Sequence, residues 1–160
     1  MKYIGFFMIL LSVLFFSDSY AKHTKKRLLE YEGFLAFISH VRLQMSCYLK
    51  PTRRIAEGFY SKPLADSGFL EYMAECESIH EAYKKAECRL SLSREEKELL
   101  GGLFSSLGEG YLDDELKVID AYRSQLEDGF SRLKKDAPKN SKLISTLSVT
   151  AAVGFLILFI

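Results

Sequence analysis

The chain has 160 residues, 48% of them hydrophobic, which is enough for one small domain with a buried core. Its formal net charge is +1, and no basic block is interleaved with aromatic residues, so the sequence does not favour nucleic-acid binding. Three cysteines, Cys47, Cys76 and Cys88, form no C-x-x-C motif, which is more typical of a reduced compartment than of a disulfide framework.

The N-terminus begins with an uncharged run of 14 residues, Tyr3–Phe16. A secretory signal has a run of this length, and Ser19 and Ala21 would suit a cut after residue 21. Lysine and arginine accumulate on the cytoplasmic side of a membrane segment. The cations that follow the run, Lys22, Lys25, Lys26 and Arg27, therefore favour a retained anchor over residues 1–21, with cleavage as the alternative.

The middle of the chain has helical periodicity and no β-type alternation of useful length. From Leu28 to Leu49, the residues Tyr31, Phe34, Leu35, Ile38, Val41, Met45 and Tyr48 form one stripe. Pro51 ends that helix, and residues 52–60 form a short helical piece. A further segment opens at Asp66 and carries a single face that consists of Phe69, Met73, Cys76, Ile79, His80, Tyr83 and Cys88.

Two more helices complete the predicted bundle. Ser93 and Glu96 form a capping box, and the helix that they open runs to Gly108, a residue suited to a left-handed C-cap. The last helix starts at Asp113 and Asp114, and we expect Pro138 to kink or break it. Its apolar stripe consists of Leu116, Ile119, Tyr122, Leu126, Phe130 and Leu133. Residues 22–142 are therefore predicted to form an all-α bundle.

The chain closes with 18 uncharged residues, Leu143–Ile160. As a helix this run covers roughly 27 Å, close to the thickness of a bilayer's hydrocarbon core. It predicts a C-terminal transmembrane helix over residues 143–160. The cations just before it, Lys134, Lys135, Lys139 and Lys142, place the middle domain in the cytoplasm, as the N-terminal charges do.

Charge is unevenly distributed over the middle domain. Residues 22–62 hold nine cations and three acids, residues 66–128 hold seven cations and sixteen acids, and residues 129–142 are again basic. The basic ends would lie near anionic headgroups while the acidic part points away from the membrane, although ordinary solvated faces would give a similar pattern.

Residues for catalysis or cofactor binding are sparse. Cys76 and His80 are four apart and Glu77 lies nearby, but two or three candidate ligands do not define a metal site. His23 is expected to be solvated, and His40 to pack beside the first helical stripe. Gly101-Gly102 follows no strand and has no G-K-[ST] motif for phosphate. We therefore expect no enzyme, no cofactor and no small-molecule substrate.

Several segments together resemble the stage III sporulation protein AB family of endospore-forming bacteria. They are GFLAFISHVRLQMSCYLKPTRRIAEGF at 33–59, DSGFLEYM at 66–73, ELLGGLFSSLGEGYLDDELKVIDAY at 98–122, KNSKL at 139–143 and the terminal ILFI. Leu107-Gly108 matches the family's Leu-Gly pair. Ile144 and Ser148 stand where the family tends to have a tyrosine and a glycine.

The resemblance implies a component of the channel complex between mother cell and forespore, located in the mother-cell membrane around the forespore. It also implies a soluble region similar to the cytoplasmic domains of type II secretion protein F, and contact with the complex's ATPase, the stage III sporulation AA protein, and with its other membrane proteins. The candidate contact residues are Asp113, Asp114, Glu115 and Asp120, with the basic group Lys50, Arg53 and Arg54 as a second surface. Alternatives are a general secretion or pilus platform subunit and an exported, tail-anchored surface protein.

Overall fold

The computed structural model describes residues 2–48, 58–108 and 111–159, which form helices and turns and no strand. The helices are α1 (Lys2–Tyr48), α2 (Lys62–Asp66), α3 (Phe69–Glu75), α4 (Ile79–Ala86), α5 (Arg94–Ser106) and α6 (Leu112–Phe159), with a 3-10 turn at Glu87–Arg89. The predicted all-α class is confirmed. Lys26–Ser131 is one compact unit, and Met1–Lys25 with Arg132–Ile160 is a second.

In the described ranges, no helix combines the length and the apolar composition that crossing a membrane requires. The anchors predicted at 1–21 and 143–160 fall mostly on positions whose side chains lie outside the described residues, and both anchors stay predictions.

The core of Lys26–Ser131 is built around aromatic side chains from α1, α3, α4 and α5. The rings of Phe34, Phe37, Phe69 and Tyr83 all lie with their centroids 5.2–6.2 Å from that of Phe104. Each of these five side chains is less than 3% exposed. Aromatic pairs at such distances contribute about 0.5–1.5 kcal/mol each beyond their buried area, so this aromatic cluster fixes how four helices pack.

The apolar stripe predicted for α1 is largely confirmed, and the stripe predicted for α6 is confirmed in part. Tyr31, Phe34, Ile38, Val41 and Met45 of α1 are buried, as are Ile119 and Leu126 of α6. The two helices also meet where the Tyr31 and Phe130 ring centroids lie 5.6 Å apart. Burial raises the pKa of Tyr31 to about 12.

Three helix boundaries differ from the sequence-based prediction. The first helix already starts at Lys2. Of the kink or break predicted at Pro138, the break is wrong, because Pro138 lies inside α6, and the kink stays a prediction. The single face predicted over 69–88 is wrong as well, because Cys76 is extended and Ser78 starts a new helix by accepting the Glu81 N–H. The helical piece predicted at 52–60 lies mostly outside the described residues, and Gly58–Ser61 is a turn and an irregular segment. Tyr48 is the last residue of α1, and its side chain lies outside the described residues.

The capping box at the start of α5 is confirmed and has an additional partner. Ser93 accepts the Glu96 N–H, and the Glu96 carboxylate accepts the Ser93 N–H at 2.7 Å. The same carboxylate accepts hydrogen bonds from two nitrogens of the Arg27 guanidinium, Nη2 at 2.7 Å and Nε at 2.9 Å. The pair is mostly shielded from solvent, and it joins the start of α5 to α1.

A second polar contact lies one turn further along α1. Glu30 is fully buried, its Oε2 accepts the Ser91 N–H at 2.6 Å, and the Lys26 Nζ lies 3.6 Å from its Oε1. Burial raises the pKa of Glu30 above its ordinary value of 4.5, although the Ser91 amide and the Lys26 ammonium lower it. Glu30 holds the loop before α5 at the cost of a buried charge.

We predict that Glu30→Gln gains stability relative to the wild type as the pH rises. With its raised pKa, Glu30 keeps its proton more tightly in the folded protein than in the unfolded chain. Its favourable contribution is complete below the unfolded value of 4.5 and is lost as the pH rises through the folded pKa. The difference in unfolding free energy, measured by denaturant titration over a pH series, should grow by about 1.4 kcal/mol per unit of raised pKa.

The exposed Glu32 on the same helix supplies the matched control, Glu32→Gln. A difference between wild type and Glu30→Gln that stays constant over the pH series would contradict the raised pKa.

Candidate partner-docking surface

A surface cleft of about 380 Å³ lies where the turn between α3 and α4 meets the C-terminal end of α5. We call it the α3–α5 cleft. Its apolar lining consists of Met73, Ile79, Phe104 and Leu107. Its remaining lining residues are Cys76, Glu77, Ser78, His80, Ser105 and Gly108. Phe104 is both the centre of the aromatic cluster and a wall of this cleft.

The cleft exists because two helices end beside it. After Glu75 the backbone of Cys76 is extended (φ −87°, ψ 155°), and α4 starts only after Ser78. On the other side, α5 ends at Ser106, and its C-cap residue Leu107 is extended (φ −80°, ψ 131°). Gly108 follows with a positive φ of 95°, the left-handed conformation that the sequence predicted for it. The break between α3 and α4 brings Cys76 inside, with 7% exposure, and leaves Glu77 in solvent.

The chain segment that forms one side of the cleft is rich in carboxylates. The segment 66–81 carries five carboxylates, no lysine and no arginine, and all five are exposed. We call this the acidic segment; it comprises Asp66, Glu71, Glu75, Glu77 and Glu81. The lining residues given above include no cation either. The carbonyl end of α5 adds a partial negative charge at the cleft wall.

The three residues considered for a metal site, Cys76, Glu77 and His80, all line the cleft. Within the described residues, no group of three or more histidine, cysteine, aspartate and glutamate side chains is placed to hold a metal ion. The pKa of Lys85 is raised, first by its hydrogen bond to the Cys76 side chain and then by charge interactions with Cys76, Glu81 and Glu75.

The four acids predicted to contact the ATPase divide into two pairs. Asp113 and Asp114 are exposed in the first turn of α6, and Asp114 accepts the Lys117 ammonium at 3.1 Å. Glu115 is only 8% exposed, and its Oε1 accepts the Gly108 N–H at 2.8 Å. Asp120 binds the Arg42 guanidinium of α1 through both oxygens, and this hydrogen bonding lowers the pKa of Asp120.

Glu115 therefore serves the fold, since it ties the edge of the cleft to the start of α6. The basic group Lys50, Arg53 and Arg54 lies outside the described residues. His40 is partly buried with its ring centroid 5.4 Å from that of Phe59, which confirms its packing role, and His23 is exposed as expected.

The sequence did not indicate the cleft, because the cleft depends on the unpredicted break at Cys76. It also did not indicate the contacts of Arg27 and Glu30, although a signal existed for Glu30. That residue precedes Phe34 by four positions on the buried stripe of α1, and a carboxylate there needs an internal partner.

A family model described as stage III sporulation protein AB matches residues 2–160. The chain belongs to this family. Membership confirms the resemblance drawn from the sequence and implies a role in stage III of sporulation. No curated protein and no solved structure matches the chain.

For this member of the stage III sporulation protein AB family, we predict unequal effects of replacing neighbouring acids. Glu115→Ala should lower the free energy of unfolding by about 1–3 kcal/mol, because it leaves the Gly108 N–H without its acceptor. Glu115→Gln, which keeps an acceptor oxygen, should cost less. The exposed Asp113→Ser should leave the unfolding midpoint unchanged; equal losses at positions 113 and 115 would exclude the structural role of Glu115.

Proposed function

We propose that this protein is a non-enzymatic, membrane-anchored component of the mother cell–forespore channel complex, and that its helical bundle is the platform for the complex's cytoplasmic ATPase. The observation that carries the proposal is the family match over residues 2–160. The ATPase is the stage III sporulation AA protein. The proposed relation to the cytoplasmic domains of type II secretion protein F suggests the same kind of platform.

Membrane attachment is supported by the sequence at both ends of the chain. The 18 uncharged residues from 143 to 160 match the length of a bilayer-spanning helix, and cations flank both apolar runs on the side of the middle domain. This arrangement would hold residues 22–142 in the cytoplasm of the mother cell.

A docking role is supported by the charge of the bundle. The acidic segment and the exposed Asp113 and Asp114 present carboxylates to solvent, whereas Glu115 and Asp120 are engaged within the chain. Such an excess of negative charge attracts a basic surface on a partner protein, and it mainly raises the association rate. A bundle kept near the membrane would thereby recruit a soluble ATPase.

Deleting the gene from the organism that encodes the protein should arrest sporulation after engulfment and leave vegetative growth unharmed. The reason is that the channel complex would lack its ATPase platform. Microscopy of sporulating cells measures the stage of arrest, and reintroducing the wild-type gene is the control. Normal spores in the deletion strain would contradict the proposal.

Replacing Asp113 and Asp114 together by serine should lower the association rate of the ATPase about three- to tenfold and reduce its dependence on salt. Neither position is buried, so the fold is retained. The measurement is binding of the purified ATPase to immobilised full-length protein.

The matched control is Asp128→Ser with Asp136→Ser, which removes two exposed acids elsewhere in α6. Association that is unchanged, or equally slowed in the control, would exclude Asp113 and Asp114 as contact residues.

A further inference from the structure

We propose that the α3–α5 cleft receives an arginine side chain, presented next to an apolar residue on a segment of a protein partner. The inference deepens the proposed function and rests on it for the nature of the partner, a protein of the same complex. It assigns the contact to the cleft and the acidic segment, a surface that the sequence had not singled out.

The size and apolar lining of the cleft suit such an occupant. Its volume of about 380 Å³ lies at the small end of the range of binding pockets, about 300–1,000 Å³. Met73, Ile79 and Leu107 offer apolar surface to the methylene stem of an arginine and to one neighbouring side chain. Phe104 is packed into the aromatic cluster and is only 2% exposed, so the cleft is backed by the core at this point.

The polar lining supplies acceptors at Glu77 and at the end of α5. Nδ1 of His80 has no hydrogen-bond partner among the described residues, but it is closed to solvent and therefore to a ligand in the cleft. Glu77 is exposed and makes no ion pair within that part of the chain. The last carbonyl groups of α5 add further acceptors at the wall. A guanidinium carries five N–H donors in a planar fork, which can serve several of these acceptors together.

Lys85 of α4 interacts with Cys76 in the cleft lining and with Glu81 and Glu75 of the acidic segment, whereas Glu77 is not among its partners. Among the carboxylates of the acidic segment, Glu77 is the one that lines the cleft, so it is the charged group that an occupant of the cleft would contact. A polypeptide with an arginine at its point of contact fits the charge and the shape together.

The test is a titration of the purified full-length protein with a synthetic peptide, acetyl-Ala-Leu-Arg-Ala-amide, followed by NMR of the histidine side chains. The same peptide with citrulline in place of arginine keeps the shape and removes the charge. We expect a saturable shift of the His80 signals with the arginine peptide and at least about tenfold weaker binding of the citrulline peptide. His23 and His40 provide internal reference signals.

Glu77→Gln should weaken binding of the arginine peptide about five- to tenfold, and the matched control Glu32→Gln on α1 should leave it unchanged. Both residues are exposed, so the variants are expected to fold. Equal binding of the two peptides, an unaffected Glu77→Gln variant, or no saturable shift up to about 10 mM peptide would each overturn the inference. The titration needs no ATPase, so its failure is distinguishable from failure of the proposed platform role.

Discussion

The packing around Phe104 is the constraint on which the rest of the domain depends. This one ring meets aromatic rings from α1, α3 and α4, so the position of α5 is set by side chains distant in sequence. The same ring forms a wall of the α3–α5 cleft. The packing of the core therefore determines the shape of the proposed docking surface. A surface of this kind needs little rearrangement before a partner binds.

Carboxylates divide into two groups in this fold. Glu30, Glu96 and Glu115 each accept a backbone N–H, from Ser91, Ser93 and Gly108 respectively. All three amides belong to the turns on either side of α5, where backbone donors lack helical partners. The acids of the acidic segment instead face solvent. Some carboxylates thus attach α5 to the rest of the domain, and others form the negatively charged surface proposed for docking.

Features that depend on nearby residues could be predicted from the sequence. The spacing of apolar residues predicted the buried stripe of α1, and the Ser93–Glu96 pair predicted the capping box of α5. The break at Cys76 was missed because Phe69, Met73, Ile79 and Tyr83 fit one continuous face, and only the Ser78 cap separates two helices. Among the four predicted acids, spacing could not tell Asp113 from Glu115. The difference lies in the Gly108 amide seven residues earlier and, for Asp120, in Arg42, 78 residues away.

The two contacts that α1 makes with the start of α5 have a consequence for how this chain tolerates changes in length. Arg27 and Glu30 lie one turn apart, and they hold Glu96 and Ser91, five residues apart. Lengthening the chain by one residue between Ser91 and Glu96 would displace one of these partners while the other stayed bound. Insertions and deletions between residues 91 and 96 should therefore be rare among related sequences, even where their side chains differ elsewhere.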